Sequence, residues 1–140
     1  MAYIVKDDIL KQLALEDLIG LTDDANSGSV DDAIVSAAIS NSEGEADGYL
    51  AVRYKTPVSP VPVIIQALVV DLAIYRLYGR RKGIPEDVEK RRDDAIKFLR
   101  DVSRGLVELG VDTPSPENSG AQVDLESDTR IFTNDSMSGF

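Results

Sequence analysis

The chain has 140 residues, 43% of them hydrophobic, 29% charged, and a formal net charge of −10 from 25 acids and 15 bases. That is enough apolar material for one core. There is no histidine, cysteine or tryptophan, which excludes imidazole acid–base chemistry, thiol nucleophiles, thiolate or imidazole metal sites and a disulfide scaffold. So acidic a chain is also a poor match for broad nucleic-acid binding.

Residues 1–11 lack a basic region followed by an apolar run, so no secretory signal is expected there, and a cytoplasmic origin follows. Asp7 or Asp8 is placed to cap a short helix carrying Ile9, Leu10, Leu13 and Ala14. Glu16–Ile19 makes a further turn, which Gly20 is expected to stop. Thr22–Gly28 reads as a loop. Ser29 followed by Asp32 resembles a capping box and starts a helix over about Val30–Tyr54. Ser42, Gly44 and Gly48 lower its propensity and either permit close helix approach or mark a kink.

Pro57, Pro60 and Pro62 break that helix. The next, about Val63–Tyr78, has Gln66, Asp71 and Arg76 stepping around it instead of lining one face. Such a helix is buried on all sides, by its own bundle or by neighbours. Asp71 rules against a membrane span there. A carboxylate in this setting calls for a cation: Arg76, Arg53 or an arginine of another chain. Arg80-Arg81-Lys82 is a basic connector, read as solvated or as subunit salt bridges in preference to a phosphate contact. Pro85 opens the last helix, about Glu86–Arg104, with Glu86–Lys90, Asp87–Arg91 and Asp93–Lys97 as i,i+4 pairs. Gly105 ends it, and a short β segment is expected near 106–109.

From Gly110 the composition turns to Pro, Ser, Asp and Asn, which on its own reads as disordered. Val123, Leu125, Ile131 and Phe132 are the expected anchors by which this segment docks on a partner. The fold expected is an all-α small helical bundle over 1–110 with two long central helices, followed by an acidic extended arm over 111–140. Charge is uneven: residues 1–75 carry 12 acids and 4 bases, residues 76–110 carry 7 and 10, and residues 111–140 carry 6 and 1.

The acid-rich stretches lack the spacing of a metal or catalytic site. In the loop Asp23–Val35, counting from Asp24 puts Ser29 and Val35 where a calcium loop needs glycine and glutamate. Counting from Asp23 puts Ala25 and Ile34 at ligand positions. The pairs Asp7-Asp8, Asp31-Asp32 and Asp93-Asp94 have no nucleophile, base or phosphate loop beside them. No enzyme activity, cofactor or metal is expected.

Several strings in order resemble a known family: Tyr3…Asp8-Ile9-Leu10, Leu18-Ile19…Leu21-Thr22-Asp23, Val30-Asp31…Ala33, Asp47-Gly48-Tyr49-Leu50…Arg53-Tyr54, Asp71-Leu72-Ala73…Tyr75-Arg76-Leu77, and Arg92…Asp94-Ala95…Leu99. They cover about residues 3–109. Together they are similar to the small neck proteins of Mu-like and other tailed bacteriophages, counted among head–tail connectors or adaptors.

The resemblance implies a structural virion protein at the head–tail junction. Its members are thought to form a homo-oligomeric, usually dodecameric ring between the portal protein and tail-side neck or terminator components. DNA passes the lumen as cargo, and no membrane is involved. On that reading Tyr49, Arg53, Tyr54, Asp71 and Arg76 tie the two central helices, and Lys55–Pro62, with Pro57, Pro60 and Pro62, is a rigid protrusion suited to a contact. Two alternatives stand beside it. A neck stopper or tail-completion ring is often hexameric and usually richer in strands. A small DNA-binding or regulatory helical protein needs a basic face, which only Arg80, Arg81 and Lys82 offer.

Overall fold

The computed structural model describes residues 3–81 and 83–110. The anchors Val123, Leu125, Ile131 and Phe132, the arm 111–140 that holds them, and Lys82 lie outside the described residues. Five helices follow in order: α1 Lys6–Leu10, α2 Leu15–Thr22, α3 Asp32–Leu50, α4 Val63–Tyr78 and α5 Glu86–Ser103. The protein is mainly helical, with no strand among the described residues, and none of their helices is long and apolar enough to cross a membrane.

α4 is the central element. It packs against α1, α2, α3 and α5, and Ile65, Leu68, Val69, Val70, Leu72, Ala73, Ile74 and Leu77 are buried. The all-round apolar pattern therefore has its cause within the chain. Its large apolar residues escape burial only in the first turn, where Val63 is 79% exposed and Ile64 43%.

α3 meets this surface with Val35, Ala38, Ser42, Ala46 and Leu50, all buried. The repeat of three and four residues makes one face, and small side chains in its middle let the helix lie close to its neighbours. α3 runs without interruption through Gly44 and Gly48, which face open space. The small residues that matter for approach are thus Ala38, Ser42 and Ala46, and the glycines mark no kink.

Helix ends depart from the sequence expectation in a consistent way. α1 starts at Lys6 after Val5, and Asp8 acts from inside the first turn, its carboxylate accepting from the Val5 amide at 2.9 Å. Gly20 does not stop α2, which continues to Thr22. The Thr22 hydroxyl donates to the Leu18 carbonyl at 2.9 Å and accepts from the Asp31 amide at 3.1 Å. α3 is capped by Asp31, whose carboxylate accepts from the Ala33 and Ile34 amides, so Ser29 and Asp32 form no capping box. Ser29 instead meets the Ser27 hydroxyl at 3.1 Å.

Pro62 and Pro85 are the N-caps of α4 and α5. After α5, Gly105 at φ +79° sends its amide to the Val102 carbonyl while the Leu106 amide reaches Asp101, a paired closure that needs a left-handed residue. That closure is why the β segment expected near 106–109 does not form. Its first amide is bound to the helix end, and the Leu109 amide goes to the Tyr54 hydroxyl at 3.1 Å.

None of the three ion pairs expected along α5 is made. Lys90 pairs with Asp94 at 3.2 Å and Arg92 with Asp93 at 3.2 Å; Arg92 also lies over the Tyr75 ring, 5.1 Å from its centre. Exposed pairs are worth only about 0.2–1 kcal/mol, so long side chains exchange partners at little cost.

Because Gly44 and Gly48 are helical, and an added Cβ would meet nothing within 4 Å, alanine at either position should stabilise the fold by about 0.4–1 kcal/mol. Thermal unfolding checks this, with a rise in Tm expected for each. Unchanged or lowered Tm would mean the outer face of α3 is covered by something in solution.

Candidate interaction site

The N-terminal segment, α3, the proline loop and α4 are joined at Tyr3. Its side chain is buried, and its hydroxyl donates to the Asp47 carboxylate and accepts from the Val58 amide at 2.9 Å. Its backbone amide donates to Glu43, one turn before Asp47 on α3, as does the Ile4 amide at 3.2 Å. Its carbonyl accepts from the Gln66 side chain of α4 at 3.3 Å. Burial first, and the Asp47 bond second, hold the Tyr3 phenol well above its ordinary value.

This network holds the loop between α3 and α4. Val58 is fully buried between exposed Pro57 and Pro60, whose preceding peptide bonds are both cis. The loop is therefore pinned at its middle, with two prolines turned outward. Pro62 is half-buried and leads into exposed Val63 and Ile64. Together they make an apolar surface at the start of α4.

The aromatic and basic residues at the end of α3 are bound to the opposite end of the chain. Tyr54 is buried with its hydroxyl on Leu109. Arg53 lies under Gly105, where an added Cβ would come 2.5 Å from its guanidinium. Tyr49 is half-buried against the core. Arg53 and Tyr54 thus fasten α3 to the segment after α5 and not to α4. Between α3 and α4, which are held mainly by their buried faces, Arg76 adds an ion pair with Glu45 at 2.9 Å.

Asp71 lacks the ion pair expected of it: no cation lies within 4 Å among the described residues. Burial raises its carboxyl above the usual range, opposed by the charge of Arg91. Arg91 itself points to Gln12 at 3.5 Å. α4 turns Asp71 toward α5, whereas Arg76, five residues on, faces α3.

Arg80 and Arg81 bind back onto α2 and the loop after it. Arg80 donates to the Leu21 carbonyl, an unpaired group at the end of α2, and to Asp24; Arg81 joins Asp24 at 2.9 Å. A cation there answers the partial negative charge of a helix C-terminus. Between Arg76 and Arg80 lies an open groove of about 580 Å3 floored by Ile34, Ala37, Tyr75 and Ile84. A second groove, about 450 Å3, runs between α3 and the N-terminal segment, bridged by Lys6–Asp32 at 2.9 Å. No group of three or more acidic side chains among the described residues is arranged to hold a metal ion.

Sequence reading missed Tyr3, Glu43, Asp47 and Val58 as a unit. The available signals were a tyrosine in an apolar stretch, which needs a partner for its hydroxyl when buried, and two acids four apart on one helix face.

Two predictions follow from these contacts. Tyr3→Phe keeps the ring but leaves the Val58 amide unpaired, and should cost about 1–3 kcal/mol in denaturant unfolding. Since the folded phenol titrates above an unfolded tyrosine at about 10, its contribution is intact below that pH and declines above it. Tyr78, also raised by burial, shares the trend, so the gap between the parent and Tyr3→Phe should narrow above about pH 10; a constant gap would contradict the assignment. Asp71→Asn should raise stability at pH 7, where the charged form is penalised. The gain should vanish as pH falls below the unfolded carboxylate value of about 3.9. A loss at pH 7 would reveal a cation partner.

The family model described as Bacteriophage Mu, Gp36 matches residues 3–126. The chain is 27% identical to the "Mu-like prophage FluMu protein gp36" of Haemophilus influenzae over 140 residues, covering 99% of this chain and 97% of that protein. It is 28% identical to "Gene product J" of Escherichia phage Mu over 109 residues, covering 76% and 75%. The match spans the Tyr3 network, all five helices and the first residues beyond them. The chain belongs to the bacteriophage Mu Gp36 family and is a phage protein.

Proposed function

We propose that the protein is a head–tail connector of the virion neck: a structural subunit that forms a ring, expected to be dodecameric, on the portal and joins it to tail-side neck or terminator components. The observation that carries this reading is the surface left by the fold. The helices fasten to one another through buried contacts, while the apolar start of α4 beside Pro57 and Pro60 stays open, and two grooves elsewhere along α3 are open as well. Such surfaces suit protein–protein contact.

Membership of a Mu phage family supports placement in the virion, and the acidity of the chain supports a lumen that DNA passes without being gripped. Arg80 and Arg81 spend their charge on α2 and Asp24, which weighs against the DNA-binding alternative. The all-helical fold weighs against a strand-rich stopper. In this reading residues 111–140 form an arm that reaches the portal or an adjacent subunit.

The test is the mass of the purified chain in solution, alone and mixed with the portal protein of its own phage. A species that becomes a ring only with portal is the expected result. A small oligomer indifferent to portal, or DNA binding that persists at physiological salt and weakens steeply as salt rises, would overturn the reading.

A further inference from the structure

Lys97, Arg100 and Arg104 are exposed and fall three and four residues apart at the C-terminal end of α5, in one stripe. None has an acidic partner within 4 Å among the described residues, where Asp93 and Asp94 pair with Arg92 and Lys90. The Arg53 guanidinium, equally unpaired, lies against Gly105 and brings a further cation to the same end. Beside them Leu106 is 71% exposed, and Val52, next to Arg53, 51%. In a chain of net charge −10 this is a patch of free cations with apolar neighbours.

Its complement lies in the same sequence. Residues 111–140 carry six acids and one base, and Val123-Asp124-Leu125-Glu126 alternates apolar and acidic side chains before Asp128. The twelve residues between Gly110 and Val123 reach up to about 40 Å when extended, more than the length of α5, about 27 Å for its 18 residues. A tethered segment meets its site at an effective concentration on the order of millimolar, so weak contacts suffice. A phosphate polymer is a poorer occupant, because Asp93, Asp94, Asp101 and Glu108 border the stripe.

We infer that in the unassembled chain residues 121–132 dock on the C-terminal end of α5 of their own chain, with Asp124, Glu126 and Asp128 facing Lys97, Arg100 and Arg104, and leave that site when the arm reaches a partner. The contact lies within one chain, so it stands or falls independently of the ring.

The cysteine-free chain permits a single nitroxide at Ser127→Cys. In the full-length labelled protein at low salt, the amide signals of 97–106 should lose intensity roughly twofold, with those of α2 unaffected. About 1 M salt, where the screening length falls to ~3 Å, should restore them. So should Lys97→Glu/Arg100→Glu/Arg104→Glu, and adding Asp124→Lys/Glu126→Lys/Asp128→Lys should bring the loss back. Broadening that is uniform, insensitive to salt, or absent would overturn the inference. Broadening carried from labelled to unlabelled chains in a mixture would also overturn it, by making the occupant a second copy. The salt series uses the charge-intact chain, so a misfolded charge variant leaves the test standing.

Discussion

The hydroxyl of Tyr3 sets the arrangement at one end of the bundle. A phenol has one proton to give and lone pairs to receive. Here the proton goes to Asp47 on α3 and a lone pair takes the amide of Val58 in the proline loop. The same residue's amide is held by Glu43 and its carbonyl by Gln66. Burial of α4 supplies most of the driving force, but it is non-directional. The hydrogen bonds at Tyr3 decide how the N-terminal segment, α3, the loop and α4 stand in register, because a buried amide or carboxylate without its partner is costly. The outward turn of Pro57 and Pro60 is a consequence: Val58 goes in, so its neighbours point out.

The opposite end is closed by different chemistry. Arg80 covers the carbonyl end of α2 and Thr22 links α2 to the start of α3, whereas Tyr54, four residues before Val58, receives the amide of Leu109 at the Tyr3 end. Arg80 and Thr22 each serve a backbone group that helix geometry leaves unpaired. The conspicuous polar residues of the chain are thus occupied in holding the fold.

How much of this was legible depended on the range of the interaction. The bounds of α4 and α5 read closely because Pro62, Pro85 and Gly105 act on their own backbone, and the lack of a polar face marks α4 as buried without saying whether its own bundle or a neighbour covers it. The starts of α1 and α3 were less legible. Asp7-Asp8 and Asp31-Asp32 are adjacent pairs, and which carboxylate meets a free amide depends on where the preceding chain enters. Gly20 read as a stop because a glycine inside a short helix is unfavourable, yet packing of Leu18 and Leu21 outweighs that cost. The Tyr3–Asp47 contact joins residues 44 apart, and no local pattern reports it. Of the candidate interaction residues, Arg76 reaches Glu45 of α3 and not Asp71, while Arg53 and Tyr54 meet the segment beyond α5. Asp71 stands without a cation because residues five apart on a helix point in different directions, so the nearest arginine in sequence faces another element.

Cation usage then bears on what the surface recognises. Arg76, Arg80, Arg81, Lys90 and Arg92 each pair with an acid of the same chain, while Arg91 reaches only Gln12. Lys97, Arg100 and Arg104, without an acidic partner among the described residues, line the far end of α5 and are bordered by acids. An extended polyanion meets repulsion on either side of such a stripe, whereas a short segment with spaced carboxylates and apolar residues between them meets complementary charge and the open faces of Leu106 and Val52.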